Sequence, residues 1–224
     1  GDHAHMPIHE KHLLDPGYMK KRSKMISDEA SDPEPVEFKD HGTVYLATAD
    51  KDGNMVSYIQ SNYMGFGSGL VVPGTGIALQ NRGHNFSLEE GHPNRLEPGK
   101  KPYHTIIPGF LMKGGEALGP FGVMGGFMQP QGHLQVVCNM IDFSLNPQAA
   151  LDRPRWQWDQ GRGLMVEQGM PSHIVKALSK RGHQVRIEAR EALFGRGQII
   201  LKNPETGVYS GGTEWRADGY IALY

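Results

Sequence analysis

Residues 43–61 constrain the fold of this chain more than any other stretch. The run Thr43-Val44-Tyr45-Leu46-Ala47-Thr48-Ala49 is rich in β-branched and aromatic residues, and Met55 to Ser61 has the same character. Between them lies Asp52-Gly53-Asn54, where Gly and Asn tolerate the positive φ that a tight connection needs. The pattern predicts an antiparallel hairpin with Thr43 at the head of its first strand. A glycine-dense turn, Gly65-Phe66-Gly67-Ser68-Gly69, follows soon after. The chain ahead of Thr43 is of a different kind. Residues 27–42 are acidic, contain Pro33 and Pro35 and are nearly free of large apolar side chains, the composition of a linker or exposed tail. The structural regime therefore changes at Thr43, dividing residues 1–42 from 43–224.

Residues 1–42 offer one helical stretch, 16–29, with Tyr18, Met25 and Ile26 loosely on one side. Beyond the hairpin, 77–80 reads as a short strand and 87–102 as a surface loop. Residues 105–112 and 117–124 read as strands joined at Lys113-Gly114-Gly115. In 132–145, Leu134, Val137, Cys138 and Ile141 recur at helical spacing; the Val content leaves strand open, and helix is the preferred reading. Asn146-Pro147 opens a helix that ends before Pro154. Ser172 is expected to cap an amphipathic helix carrying Ile174, Val175 and Leu178, with Gly182 closing it. Residues 184–187 return to strand alternation, and 198–201 with 208–211 suggest a hairpin around Asn203-Pro204. This order of strands and helices implies an α+β layered domain.

A formal charge of -1, with basic residues scattered apart from Lys20-Lys21-Arg22, provides no broad field for nucleic acid. No run approaches the roughly 18 apolar residues that a membrane helix needs, and the first residues are polar and His-rich where a leader would be apolar. The expectation is no nucleic acid and no membrane among the partners, with the compartment left open. The single cysteine, Cys138, rules out an internal disulfide framework and reads as a small buried side chain rather than a catalytic thiol. His3, His5, His9 and His12 crowd the N-terminus, yet their spacing matches no closed tetrahedral site, so no metal is expected. No cofactor is expected either. Gly65-x-Gly67-x-Gly69 lacks the strand, helix and later acidic residue of a dinucleotide loop.

Two constellations carry chemistry. A threonine hydroxyl becomes a useful nucleophile only when a base removes its proton, and a chain-terminal threonine has its own α-amine, of pKa near 8, for that task. Cleavage before Thr43, after the small and flexible Gly42, would create that terminus. On spacing alone Thr43 also reads as an ordinary strand-initiating residue. Paired glycines Gly125-Gly126 follow the apolar strand 117–124 and permit two backbone N–H groups to converge on a developing oxyanion.

Taken together these residues resemble the small-subunit half of the γ-glutamyltransferase family, the threonine-type N-terminal nucleophile (Ntn) hydrolases that also include glutaryl-type cephalosporin acylases. The resemblance runs from Thr43 to about Ser87. It continues more loosely to Tyr224 through Lys101-Pro102-Tyr103-His104-Thr105-Ile106-Ile107-Pro108, Met124-Gly125-Gly126, and Gly212 to Asp218-Gly219. It implies an αββα sandwich, partial here because most strands of a large subunit are lacking. Residues 1–42 would be the end of that large subunit and 43–224 the catalytic small subunit.

It further implies self-cleavage between Gly42 and Thr43, attack by Thr43 on a γ-glutamyl amide, and transfer of the acyl group to water or an amine. Ser61 stands where a hydroxyl hydrogen-bonds the nucleophile, and Gly125 and Gly126 match the oxyanion glycines. His104 and Thr105 occupy the position of paired serines that bind the substrate α-carboxylate. Asn85 replaces an acid that holds the α-ammonium group, and Tyr63 and Arg82 replace an Asn and a Gln of the pocket. On electrostatic grounds an anionic acyl group without an amine, such as glutaryl, suits Arg82 and Asn85 better. The rival from another class is an uncleaved, non-catalytic homologue.

Overall fold

The structure, a computed structural model, describes residues 2–31 and 42–224. The bulk of the expected linker, including His41, lies outside the described residues. At the N-terminus a short 3-10 turn, His3–His5, precedes α1 (Glu10–Leu13) and α2 (Pro16–Ser23). Asp15 caps α2 by accepting the Tyr18 N–H at 2.8 Å, with Pro16 in the first turn. The expected helix 16–29 stops at Ser23. Neither the helical part nor the stretch beyond it buries a residue, Ile26 being 82% exposed, and a short helix without tertiary packing does not propagate far.

The hairpin forms as β1 (Gly42–Ala49) and β2 (Met55–Tyr63), paired antiparallel with Thr43 opposite Ser61 and Ala49 opposite Met55. Asp50 organises the turn. Its carboxylate accepts the backbone N–H groups of Asp52 and Asn54, both at 2.9 Å, while Gly53 takes φ 90°.

The hairpin packs face to face on a second, antiparallel sheet of order β3-β4-β8-β9. Its strands are β3 (Gly109–Lys113), β4 (Glu116–Met124), β8 (Arg196–Lys202) and β9 (Tyr209–Thr213). The sheets approach closely where Gly122 has no side chain: a Cβ there would stand 2.5 Å from the Tyr45 ring. The opposite face of the second sheet carries α3 (Met128–Ile141) and α4 (Pro147–Asp152). Phe121, Val123, Val136, Met140, Ala150, Leu151 and Ile199 form the core between them. The layer order is sheet, sheet, helix. The outer face of the hairpin, with Val44, Leu46, Val56 and Tyr58, is exposed among the described residues.

A third sheet of order β5-β6-β7 comprises Trp156–Trp158, Gly163–Glu167 and Gln184–Glu188, with α5 (Ser172–Lys180) crossing between the parallel strands β6 and β7. Strands β5 and β6 have no counterpart in the sequence reading. The backbone of β5 is held by two side chains of α3: Gln135 exchanges hydrogen bonds with Trp156, and Gln131 with Trp158, at 2.8–3.1 Å.

Several local expectations are corrected. Residues 77–80 form only an isolated bridge, Val71 to Ala78. The strand predicted over 105–112 begins at Gly109, because Pro108 has no N–H to donate and the Ile107 N–H is taken by the Gln129 side chain. Pro171, not Ser172, occupies the N-cap of α5, which has no side-chain cap. Cys138 is partly rather than fully buried.

Candidate active site

The register of the hairpin places Thr43 directly opposite Ser61, and the ladder is irregular between Gly42 and Thr43. The Thr43 hydroxyl donates to the Ser61 hydroxyl at 2.9 Å, and the Tyr63 N–H donates to the same Ser61 oxygen at 2.9 Å. Thr43 is buried. Two hydroxyls are thus fixed on one face at the end of the hairpin.

Where β2 ends, Tyr63 has φ 76°, a conformation that a non-glycine residue holds only when its surroundings enforce it. The enforcing contacts come from the 3-10 turn Arg82–Asn85 and the residue before it. Asn81 accepts the Met64 N–H at 3.0 Å, and the Tyr63 hydroxyl donates to Asn85 Oδ1 at 2.5 Å. The Arg82 guanidinium lies over the Tyr63 ring at 4.9 Å and donates through Nη1 to Thr105 Oγ1 at 2.7 Å. Arg82 is 3% exposed, and among the described residues its Nη2 has no hydrogen-bond partner. Burial pulls the guanidinium pKa down and pushes that of Tyr63 up.

Asn85 Nδ2 donates to the Tyr103 carbonyl at 3.0 Å. The expected surface loop 87–102 takes part here. Asn94, at the edge of full burial, donates to the Asn85 carbonyl at 2.6 Å and accepts the Tyr103 N–H at 2.9 Å. Tyr103 stacks on Phe127, ring centroids 5.7 Å apart, and so ties this loop to the turn that carries Gly126. Asn94 escaped the sequence reading because a lone Asn after Pro93 in a polar loop looks like any turn residue. His104 is exposed, and its Nδ1 accepts the Ile106 N–H at 3.2 Å. Burial and the nearby Arg82 charge hold its pKa below the ordinary imidazole value. Arg82, Thr105, Tyr63 and Asn85 therefore form one connected cluster, with His104 at its rim.

Gly125 and Gly126 form the turn between β4 and α3, with φ 149° and 58°. Their carbonyls accept the first amides of α3, and among the described residues no group accepts from their own N–H groups. Gly125 leaves little room for a side chain, since a Cβ would stand 3.1 Å from the Cα of Gly195, and its φ is one that L side chains rarely adopt. The carbonyls of Phe194 and Gly195 accept from Arg155 Nη1 at 3.1 and 2.9 Å.

Arg155 is 1% exposed and belongs to a buried ionic cluster with Glu214, Arg216 and Glu167. Arg155 pairs with Glu214 at 2.7 Å, Arg216 with Glu214 at 2.6 Å and with Glu167 at 2.5 Å. Sequence reading found none of these four.

A cavity of about 430 Å³ adjoins Thr43 on another side. It is lined by Val44, Met124, Arg196, Gln198, Asp218 and Tyr220 among others, and by none of Arg82, Asn85 or Thr105. Among the described residues no group of three or more His, Cys, Asp or Glu side chains is disposed to hold a metal.

A hydroxyl pair at a strand head and a glycine turn whose amides have no acceptor among the described residues are groups suited to acyl transfer, on the α+β fold of the Ntn hydrolases. The family model described as Gamma-glutamyltranspeptidase matches residues 1–224, and the chain belongs to that family. It is 38% identical to the glutathione hydrolase-like YwrD proenzyme of Bacillus subtilis over 97% of its length and 42% of that protein's. It is 34% identical to the oxamate amidohydrolase proenzyme of Klebsiella pneumoniae, over 100% of the chain and 43% of that protein. The solved structure of cephalosporin acylase from Bacillus halodurans superposes with a TM-score of 0.93 at 60% identity, covering all of this chain and 41% of the other. The chain thus spans less than half the length of these relatives.

Proposed function

We propose that this chain carries the nucleophile of a threonine-dependent amidohydrolase or acyltransferase that cleaves γ-glutamyl-type amides. The observation that supports it most is the hydrogen bond from the Thr43 hydroxyl to Ser61 at the head of β1. In the maturation step, Thr43 Oγ attacks the Gly42 carbonyl, the C–N bond breaks, and an ester to Thr43 forms. Water hydrolyses that ester, leaving a Gly42 carboxylate and a free Thr43 amine. In turnover the amine takes the hydroxyl proton as Oγ attacks the substrate amide. The N–H groups of Gly125 and Gly126 stabilise the oxyanion, and the leaving amine receives the proton. Water or an acceptor amine then takes the acyl group from Thr43. Ser61 orients the nucleophile, and Arg82, Thr105, Tyr63, Asn85 and His104 shape the acyl side.

The proposal includes a second partner, a large subunit from the same precursor. The length of the relatives and the uncovered outer face of the β1–β2 hairpin support it. Replacement Thr43→Ala in the full-length protein is expected to abolish both chain cleavage, read by intact mass, and amide turnover. Cleavage after Gly42 that persists in this variant overturns the mechanism. A wild-type chain that stays uncut alongside the large subunit favours the non-catalytic rival.

A further inference from the structure

From His3 to Ser31 every residue is exposed except Ala30. Ala30 lies at the end of α5, where its N–H donates to the Arg181 carbonyl at 2.7 Å. The last carbonyls of a helix have no intrahelical donor, so this bond satisfies a group that would otherwise need water. Gly182, with φ 94°, leaves the space for it: a Cβ there would stand 3.7 Å from the Ala30 Cβ and 3.7 Å from Arg162 Nη1. Beside this contact Asp28 pairs with Arg181 at 3.7 Å, both side chains being exposed. At the other end of the same segment Asp2, half-buried, accepts the Lys101 N–H at 3.0 Å.

The charges on the two sides are complementary. The run 28–40 has six carboxylates and one lysine, Lys39. The end of α5 and the segments beside it carry Arg162, Lys180, Arg181, Arg186 and Arg190, all exposed. Part of this charge is met locally, Arg186 by Asp159 at 3.6 Å and Arg190 by Glu188 at 3.1 Å. The C-terminal end of a helix bears partial negative charge and by itself repels an acidic segment, so these basic residues reverse the field that the end of α5 would present.

We infer that the basic end of α5 is a docking surface for this chain's own acidic run, which begins at Asp28. It holds the segment ahead of Thr43 on residues 43–224 by charge, whether the Gly42–Thr43 bond is intact or broken. A single exposed ion pair such as Asp28–Arg181 contributes little in water. The summed attraction of the two runs carries the contact, and the Ala30–Arg181 hydrogen bond fixes where the acidic run starts.

The test follows hydrogen exchange of the Ala30 amide in the full-length protein by mass spectrometry. Docking predicts slower exchange than in a synthetic peptide of residues 24–40. The double variant Asp28→Lys/Glu29→Lys leaves α5 untouched and speeds exchange about 3- to 10-fold, as does raising NaCl from about 0.05 to about 0.5 M. Lys180→Gln/Arg181→Gln speeds it by a similar factor in the wild type and adds nothing beside Asp28→Lys/Glu29→Lys, because the two pairs of changes remove one interaction. An Ala30 amide as fast as in the peptide overturns the inference. A rate indifferent to charge reversal and salt means that another part of the protein covers Ala30, and overturns it too, as do fully additive effects of the two double variants. Intact mass reports the cut after Gly42 separately. In Thr43→Ala, uncut on the acyl-transfer reading, the Ala30 amide keeps its protection, so a failure of that reading leaves this test standing; protection confined to the cut or to the uncut form overturns the inference.

Discussion

Two buried arginines in this molecule have opposite surroundings. Arg155 shares its site with Glu214, Arg216 and Glu167, so two cations face two anions, and its Nη1 and Nη2 also reach the carbonyls of Leu151, Phe194 and Gly195. Arg82 is nearly as buried but faces a hydroxyl and an aromatic ring, and among the described residues no carboxylate pairs with it. Balanced charge belongs to scaffold: the Arg155 cluster locks strands β6 and β8 and the turn at Gly195 that abuts Gly125. A buried charge with no pairing carboxylate is costly to the fold instead. The same residue type thus stands in two electrostatic settings, and only its neighbours distinguish the two.

The comparison can be broken by substitution. Glu214→Gln removes one anion from between two buried guanidinium groups, and the expected loss is about 3–5 kcal/mol in urea unfolding. A loss below about 1 kcal/mol would show that the cluster is not the lock described.

A smaller effect comes from His133, which sits on α3 and accepts the Val123 N–H through Nε2 at 3.0 Å. Burial pushes its pKa down to about 4, so the folded chain keeps it neutral. Between that value and the ordinary pKa of about 6.5 the unfolded chain binds a proton that the folded chain does not, so stability rises with pH across this window. The contribution is complete above pH about 6.5 and is lost as the pH falls towards 4. With the partial exposure of the ring discounted, it amounts to about 1–3 kcal/mol. Urea midpoints between pH 7.5 and 4.5 for wild type and His133→Gln check this, and equal slopes would refute it.

The smallest expected effect sharpens the contrast. Arg82→Met changes stability by less than about 1 kcal/mol, because it deletes a buried charge that no carboxylate among the described residues compensates. A loss as great as that of Glu214→Gln would move Arg82 into the scaffold.

The hairpin, the helices α3 and α4 and the closing pair β8–β9 were legible because their signals are local: strand alternation, a Gly-Asn turn, helical spacing, Asn146 ahead of Pro147. Ser61 was legible as the partner of Thr43 through the family resemblance. The third sheet was only partly so. Strand β5 is three residues long, and Gln131 and Gln135, which hold it, look in sequence like exposed helical residues. Within the surface loop 87–102 the burial of Asn94 was not legible for the same reason, since it depends on Asn85 and Tyr103, nine residues away on either side.

What the sequence by itself determined is the hairpin with Thr43 at its head, the α+β class and the family resemblance, all carried by short-range pattern and ordered motifs. Tertiary structure alone decided the rest. It brought Gly195 against Gly125, assembled four charges from positions 155, 167, 214 and 216, and buried Arg82 with no carboxylate of the described residues beside it. The physical reason is that charge compensation and close backbone approach are relations between segments distant in the chain, which no single window of residues contains.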